Sequence, residues 1–564
     1  MDSLTRWESV PDLPVEVMES LGAFSRIQQK LLFNRGIRSP MNAYDYLWRQ
    51  GSLYDPFLLD EMNQAVETVL HAIDSRWKIA VYGDYDVDGV TASALLNQVL
   101  KKMGADVRGY IPNRFEEGYG VNREALRTLR DEGIGLTITV DCGIRSPEDV
   151  EFAHNIGMEM VITDHHEPGP EIPQAAAVIC PKKESDHYPD CNLAGVGLAY
   201  KLAEALLMTR PVAGVAVEDW QDFVAIGTVA DMVSLSDENR SLVKGGLERL
   251  RTSSRPCIRA LAEVSDIRLS DIKASTIGFS FGPRLNASGR LETARLSFDL
   301  MMSETLDDAR KYAIELNDQN RRRQDLTKKT QEKVIGGIDR DQVPIIICAA
   351  DEDFNRGVVG LAASKLTEQF YRPAMVGAID GDEIHASCRS ISEFHITNAL
   401  DQCADLMVKH GGHAMAAGLT VKTENWRQLN EAMSKIAADA LAGKSLRPVK
   451  HADMEIPLDY LRENVLSQIA ELEPYGMDNP EPLFIVRGLN VASSRTIGSD
   501  QSHLKMTLVS DSKVTIDSIA FRQAFRRDQM PERIDVLCTF EKNVWRDRQT
   551  LQLNVVDFCS SQTE

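Results

Sequence analysis

The run Lys78-Ile79-Ala80-Val81-Tyr82 leads into Gly83-Asp84-Tyr85-Asp86-Val87-Asp88-Gly89, and helix-forming residues continue from Val90 to Leu96. That order predicts a buried strand, an acidic turn and a helix start. Three carboxylates spaced two apart on one turn repel each other, and folding alone gives little reason to gather them. A hard divalent cation would relieve the repulsion, because such ions take several oxygen ligands. The competing reading is a solvated acidic cap, since a helix N-terminus also favours negative charge.

From about residue 55 to 300, strand and helix patterns alternate around this turn. The expected strands are Ile79–Tyr82, Val107–Ile111, Leu136–Val140, Met158–Thr163 and Ala176–Cys180, with helical stretches such as Arg123–Asp131 and Pro147–Ile156 between them. Such alternation predicts a mostly parallel sheet with helices on both faces. In sheets of this kind, sites form beyond the carboxyl ends of the strands. The first strand ends at Asp84, Asp86 and Asp88, another at Asp141-Cys142-Gly143, and a third at Asp164-His165-His166; Asp231 follows the helix-like Phe223 to Ala230. Singly, Asp141 reads equally as a turn former and His165 as a packed histidine. Gathered on one rim they predict a metal site, and carboxylates with imidazole suit Mn²⁺ ahead of Mg²⁺ or Zn²⁺. So many ligands imply two ions, and ions paired about 3.5–4 Å apart serve phosphoryl transfer.

Length and composition set the outer bounds. A chain of 564 residues should hold several domains, because single cores rarely grow past roughly 250–300 residues. A formal charge of −21 speaks against an indiscriminate polyanion binder. It leaves nucleic acid open as a substrate, because bound metal ions add positive charge locally. The nine cysteines are scattered, without a C-x-x-C pair. That pattern fits a reducing cytoplasm and argues against a disulfide framework or a structural zinc site. Met1-Asp2-Ser3-Leu4-Thr5-Arg6-Trp7 has no apolar core, and no run of about 18 apolar residues occurs, so neither a signal peptide nor a membrane span is expected.

Residues 1–50 read as a helical lead-in, 51–302 as the acidic α/β domain, and 303–338 as a long connecting helix. The basic cluster Arg321-Arg322-Arg323 with Lys328-Lys329 on that helix is either a solvated charged face or the lining of a phosphate-bearing cleft. A second α/β domain is expected over 339–446, with a strand at Val343–Cys348 and a helix at Val358–Leu366. His385-Ala386-Ser387-Cys388-Arg389-Ser390 reads as a turn carrying hydroxyls and a guanidinium, and arginine offers phosphate a bidentate grip. Gly411-Gly412-His413-Ala414-Met415-Ala416-Ala417-Gly418 either brings backbone N–H groups close to an anion or packs small residues tightly. After a linker at Ala442-Gly443-Lys444-Ser445, residues 447–564 are strand-rich and predict a small barrel. Phe521, Arg522, Phe525, Arg526, Arg527, Trp545 and Arg546 are candidates there for holding a single strand, each equally readable as structural.

The motifs Gly83 to Gly89, Asp141-Cys142-Gly143-Ile144, Asp164-His165-His166 and Asp231 together resemble the DHH phosphoesterase superfamily. Three further stretches narrow the match, namely Pro112-Asn113-Arg114-Phe115-Glu116-Glu117-Gly118-Tyr119-Gly120, Leu193-Ala194-Gly195-Val196-Gly197 and Gly282-Pro283-Arg284-Leu285-Asn286-Ala287-Ser288-Gly289-Arg290. They are similar to the bacterial 5′→3′ exonucleases specific for single-stranded DNA. The Gly411–Gly418 stretch is similar to the signature of the DHH-associated domain, here 339–446.

The resemblance implies a DHH-type parallel-sheet domain, a DHH-associated α/β domain across a cleft, and a C-terminal OB-like barrel. It implies that Asp84, Asp86, Asp88, Asp141, His165 and Asp231 hold two Mn²⁺ or Mg²⁺ ions, with Asp141 bridging, and that His166 faces the scissile phosphate. Arg114, Ser387 and Arg389 would hold the 5′ phosphate, with Arg284, Asn286, Arg290, Gly412 and His413 near the substrate. The implied activity is two-metal hydrolysis of single-stranded DNA in repair and recombination, by a cytoplasmic monomer that works with single-strand-binding protein and a helicase. Family members usually carry Asn where Cys142 stands and Gly where Cys388 stands; the second departure bears on phosphate binding. The rival readings are a DHH hydrolase of short oligonucleotides or cyclic dinucleotides, and a non-catalytic DHH replication scaffold. The barrel argues against the first, and the complete set of acidic and histidine positions against the second.

Overall fold

The computed structural model describes residues 1–48, 53–114, 117–118, 120–339, 342–545 and 548–561, without the side chains of Val544, Trp545 and Arg548. Phe115, Glu116, Tyr119 and Arg546, and the Trp545 side chain, therefore lie outside the described residues. The chain forms two compact units, one of Tyr54–Val233 with Gly246–Leu446, the other of Met1–Leu53, Ser234–Gly245 and Arg447–Glu564.

The larger unit holds both α/β lobes. In the first, β1 (Lys78–Gly83), β2 (Asp106–Tyr110), β3 (Ile134–Val140), β4 (Glu159–Thr163) and β5 (Ala177–Ile179) form an all-parallel sheet in the order β2-β1-β3-β4-β5. The middle strands are buried on both faces, as their continuous apolar runs require. Strand order reverses between β1 and β3, and a sheet of this kind opens its ligand crevice at that switch point. Helix α1 (Val87–Lys102) leaves β1 and packs against α2 (Gly195–Thr209) and α3 (Gln221–Asp231). Helix α4 (Gly282–Leu291) follows a π-helical turn at Ile277–Phe281 and packs on α5 (Leu306–Gly336). Thr305 caps α5 by accepting from the Asp308 N–H.

The second lobe is a mixed sheet built from β6 (Ile347–Asp351), β7 (Ala374–Asp380), β8 (Glu383–Arg389), β9 (Met407–Gly412) and β10 (Ala416–Lys422) in the order β9-β10-β8-β7-β6, with α6 (Val359–Phe370) against it. Two expectations are corrected here. The strand expected at Val343–Cys348 begins only at Ile347, and Ile346 is buried ahead of it. The segment around Ser387 is an alternating strand, not a turn. Ile384, Ala386 and Cys388 face the core while His385, Ser387 and Arg389 face outward. Cys388 is fully buried, so its side chain points away from the two residues it separates.

In the smaller unit β11 (Phe484–Ile497), β12 (His503–Val509), β13 (Thr515–Ala520), β14 (Arg533–Trp545) and β15 (Arg548–Ser560) close a five-stranded barrel through the β11–β14 pairing. N-terminal helices, including Arg26–Asn34, share the barrel's core, and Arg6–Ser9 pairs in parallel with Val449–Ala452. Buried Asp557 anchors this arrangement by accepting from the N–H groups of Leu4 and Thr5, the Trp7 indole and Arg526. Arg526 is thus not available to a strand of nucleic acid, because its guanidinium is spent inside the barrel. Phe521, Arg522, Phe525 and Arg527 are exposed.

Candidate metal and phosphate site

The acidic rim arises where β1, β3 and β4 end together. Asp86 caps α1, its carboxylate accepting from the Gly89 N–H at 3.1 Å. Asp88, in the first turn of α1, accepts from the N–H groups of Gly195 at 2.7 Å and Val196 at 2.8 Å. These are the first residues of α2, so the carboxylate is held by a helix N-terminus that favours negative charge. Asp141 follows β3 in a left-handed conformation, φ +63°, and is buried. Asp231 ends α3.

These groups converge. Asp84, Asp86 and Asp141 present oxygens within 4.8 Å of one another, as do the ligand atoms of Asp88, His165 and Asp231, and those of Asp141, His165 and His166. His165 Nε2 lies 3.1 Å from Asp141 Oδ1 and 3.6 Å from Asp231 Oδ2. Asp141 therefore stands between two groups that share no residue. Burial, then the neighbouring carboxylates, drives the carboxyls of Asp84, Asp88 and Asp141 well above the ordinary range. Burial and Asp86 raise Asp231 to about 7. Burial, with His166 beside it, lowers His165 to about 3, so its imidazole is neutral.

Asp84 Oδ1, Asp141 Oδ1 and His165 Nε2 are buried and make no hydrogen bond, despite the 3.1 Å approach of the last two. Orphaned polar atoms of this kind, all oxygens or imidazole nitrogen on residues of the converging groups, are the donor set divalent cations complete. The residues fit Mn²⁺ or Mg²⁺.

Small residues make the packing possible. A Cβ on Gly195 would lie 2.6 Å from Asp141 Cβ, and one on Gly227 would lie 2.8 Å from Asp88 Oδ1. Cys142 is fully buried and donates weakly toward the Tyr82 carbonyl at 3.9 Å, as core packing.

The sequence reading assigned no role to Asp164. Its carboxylate accepts from His166 Nδ1 at 2.7 Å and from the N–H groups of His166 and Ile144. Burial alone would lower His166; the Asp164 hydrogen bond and charge, with Asp84 and Asp86, hold it above the ordinary histidine value. Its place in the Asp-His-His motif was the available signal.

A cationic track continues from the rim. Arg114 stacks its guanidinium over the Tyr85 ring at 5.1 Å. Arg290 lies close enough to Arg114, Arg323 and Arg389 for burial and then these charges to lower its basicity to about 10. Within the basic cluster of α5, Arg321 and Arg322 are exposed beside Asp318 and Glu292, whereas Arg323 turns inward. Ser387 and Arg389 project from β8 beside Gly360 near the start of α6. Arg284, on α4 with Arg290, donates to the Ser280 carbonyl and Asn317, and burial and then Arg321 lower its basicity. Asn286 is half-buried on α4. Gly412 and His413 form the tip of the β9–β10 hairpin, where Gly412 has φ +147° and the His413 N–H donates to the Ala416 carbonyl.

The parallel sheet with its acidic rim, the second lobe and the barrel define a DHH-type protein of three modules. Residues 78–228 match the model of the DHH family N-terminal domain, 342–439 the DHHA1 domain and 452–557 the RecJ OB domain. The chain is 37% identical to the single-stranded-DNA-specific exonuclease RecJ of Bacillus subtilis, over 94% of this chain and 68% of that one. It is 34% identical to the RecJ of Dickeya dadantii, over 98% and 99%. A crystal structure of RecJ in complex with Mn²⁺ from Thermus thermophilus superposes with a TM-score of 0.84 at 27% identity, covering 99% of this chain and 80% of that one. The chain belongs to the RecJ family.

Proposed function

We propose that this protein is a single-stranded-DNA-specific exonuclease that works 5′→3′ by two-metal hydrolysis of phosphodiester bonds. The observation that carries the reading is the meeting of two adjacent ligand groups, one around Asp84, Asp86 and Asp141, the other around Asp88, His165 and Asp231, with buried donor atoms left unbonded.

These six side chains would hold Mn²⁺ or Mg²⁺, which supply positive charge to activate water and to stabilise the attacking and leaving oxygens. Asp164 fixes the His166 ring and favours its protonated form, from which His166 can donate a charge-assisted hydrogen bond to the scissile phosphate. Arg290 and Arg323 hold further positive charge along the track where the backbone of a strand would lie. Arg114, Ser387 and Arg389 hold the 5′-terminal phosphate, setting polarity by binding the end and placing the first phosphodiester at the rim. Exposed Phe521 and Phe525, with Arg522 and Arg527, suit the stacking and backbone contacts that single strands make. Single-strand-binding protein and a helicase are the proposed partners and the cytoplasm the proposed location. Among the described residues no helix is long and apolar enough to cross a membrane.

Digestion of 5′- and 3′-labelled DNA, single- and double-stranded, with Mn²⁺, Mg²⁺ or chelator tests the reading. Mononucleotide release from the 5′ end of single strands, abolished by chelator, is expected. Hydrolysis confined to dinucleotides, or undiminished in chelator, would overturn it.

A further inference from the structure

Resting on the terminal-phosphate reading above, we propose that the second lobe carries a further anion subsite, one that accepts the additional phosphates of a 5′-di- or triphosphorylated strand end. A cavity of about 320 Å³ has Arg114 and Ser387 at one side and Arg356, His385, Lys409 and Thr420 at the other. Its volume is at the scale of small-molecule sites, roughly 300–1,000 Å³, and exceeds what one phosphate group needs.

Strand register explains how the cavity extends. Ser387 on β8 pairs with Gly418 on β10, which pairs with Gly411 on β9. Gly411 has nothing within 4 Å of a built Cβ, and Gly418 only the Ala386 carbonyl at 4.0 Å. That row is an open floor. One row further, about 7 Å along the strand, His385 pairs with Thr420, and Thr420 with Lys409. His385 Nδ1 lies 3.1 Å from the Thr420 hydroxyl.

The charge in this row has no internal use. Among the described residues no carboxylate lines the cavity. Burial, then Arg356, lowers the basicity of His385; Glu383 and Asp380 oppose this, and Lys409 adds to the lowering, so both cations lie within reach of its ring. His410 is engaged by Asp401 at 2.8 Å. Arg356 and Lys409 make no ion pair or side-chain hydrogen bond among the described residues. A strand whose terminal phosphate sits at Ser387 and whose next phosphodiester lies at the acidic rim leaves this space to groups attached beyond the end. Two or three convergent cations and a hydroxyl recognise phosphate.

The test uses the full chain in chelator, with 3′-fluorescent oligonucleotides of one sequence ending in 5′-hydroxyl, 5′-monophosphate or 5′-triphosphate. Affinities are read by anisotropy. The triphosphate end should bind about tenfold more tightly than the monophosphate, and Arg356→Gln and Lys409→Gln should each shrink that ratio, together bringing it near one. Equal or weaker binding of the triphosphate overturns the subsite. A triphosphate preference untouched by both substitutions overturns its assignment to these residues. Failure of the monophosphate to outbind the hydroxyl would overturn the terminal-phosphate reading itself, and this inference with it.

Discussion

Buried Asp164 and half-buried His166 form a pair in which one carboxylate oxygen, Oδ1, meets both the ring Nδ1, at 2.7 Å, and the backbone N–H, at 3.1 Å, of the same histidine. The carboxylate thereby sets the ring's orientation, tautomer and charge together. It is the counterpart, for a phosphate-facing histidine, of the outer-shell partners that orient metal ligands. Replacing Asp164 with Asn should leave the ring in place but remove the charge that holds its proton against burial. The His166 pKa should then fall below its parent value, read by NMR titration of the chelated protein, and turnover should drop about 10- to 100-fold. An unchanged titration would show that Asp164 does not control the ring.

Asp141 is buried among carboxylates that all resist ionisation together. Asp141→Asn should lower turnover on the order of a thousandfold and remove most of the thermal stabilisation that Mn²⁺ confers. In chelator at pH 8 the same variant should melt at a higher temperature than the parent, because a like-charge contact is gone. Melting curves with and without Mn²⁺ check both halves. A metal-free variant less stable than its parent would contradict the repulsion argument.

The pH dependence follows from the same charges. A carboxyl whose folded pKa is raised adds stability below its unfolded value, and that stability is lost as pH rises through the folded value. For Asp231 the window runs from 3.8 to about 7, and Asp84, Asp88 and Asp141 are shifted the same way. The protein in chelator should therefore lose stability across this window, whereas Mn²⁺ must displace protons to bind and gains affinity as they leave. The melting-temperature difference between Mn²⁺ and chelator should widen from pH 5 to pH 8. A difference that is flat or shrinks would sink the account.

Gly195 is a steric requirement of the site. An alanine methyl there would press on Asp141 Cβ at 2.6 Å, while the N–H that binds Asp88 would have to shift. Gly195→Ala should cost about 1–3 kcal/mol of stability and weaken Mn²⁺ binding further than that strain alone. Gly336, at the end of α5 with nothing within 4 Å of a built Cβ, is the control, and Gly336→Ala should be neutral or slightly stabilising. Calorimetric titration with Mn²⁺ on both variants separates the effects.

Local pattern determined much of this protein from the sequence alone. Apolar runs such as Leu136–Val140, each closed by an acidic residue and followed by helix signals, specify parallel strands. A parallel sheet gathers whatever follows its strands on one edge. That is why Asp84, Asp86, Asp88, Asp141 and His165 could be placed together without coordinates, with Asp231 added from the end of its helix. Tertiary structure alone decided the partners that lie far away in the chain. The Asp88 carboxylate is bound by N–H groups 107 and 108 residues distant, and Asp164 proved to serve His166. Arg323 turns toward Arg290 while its neighbours face solvent, and Arg526 is consumed by Asp557. Periodicity reports which face of an element is apolar, but a charged side chain's partner depends on which distant backbone comes to rest against it. Long-range packing settles that, and no local pattern records it.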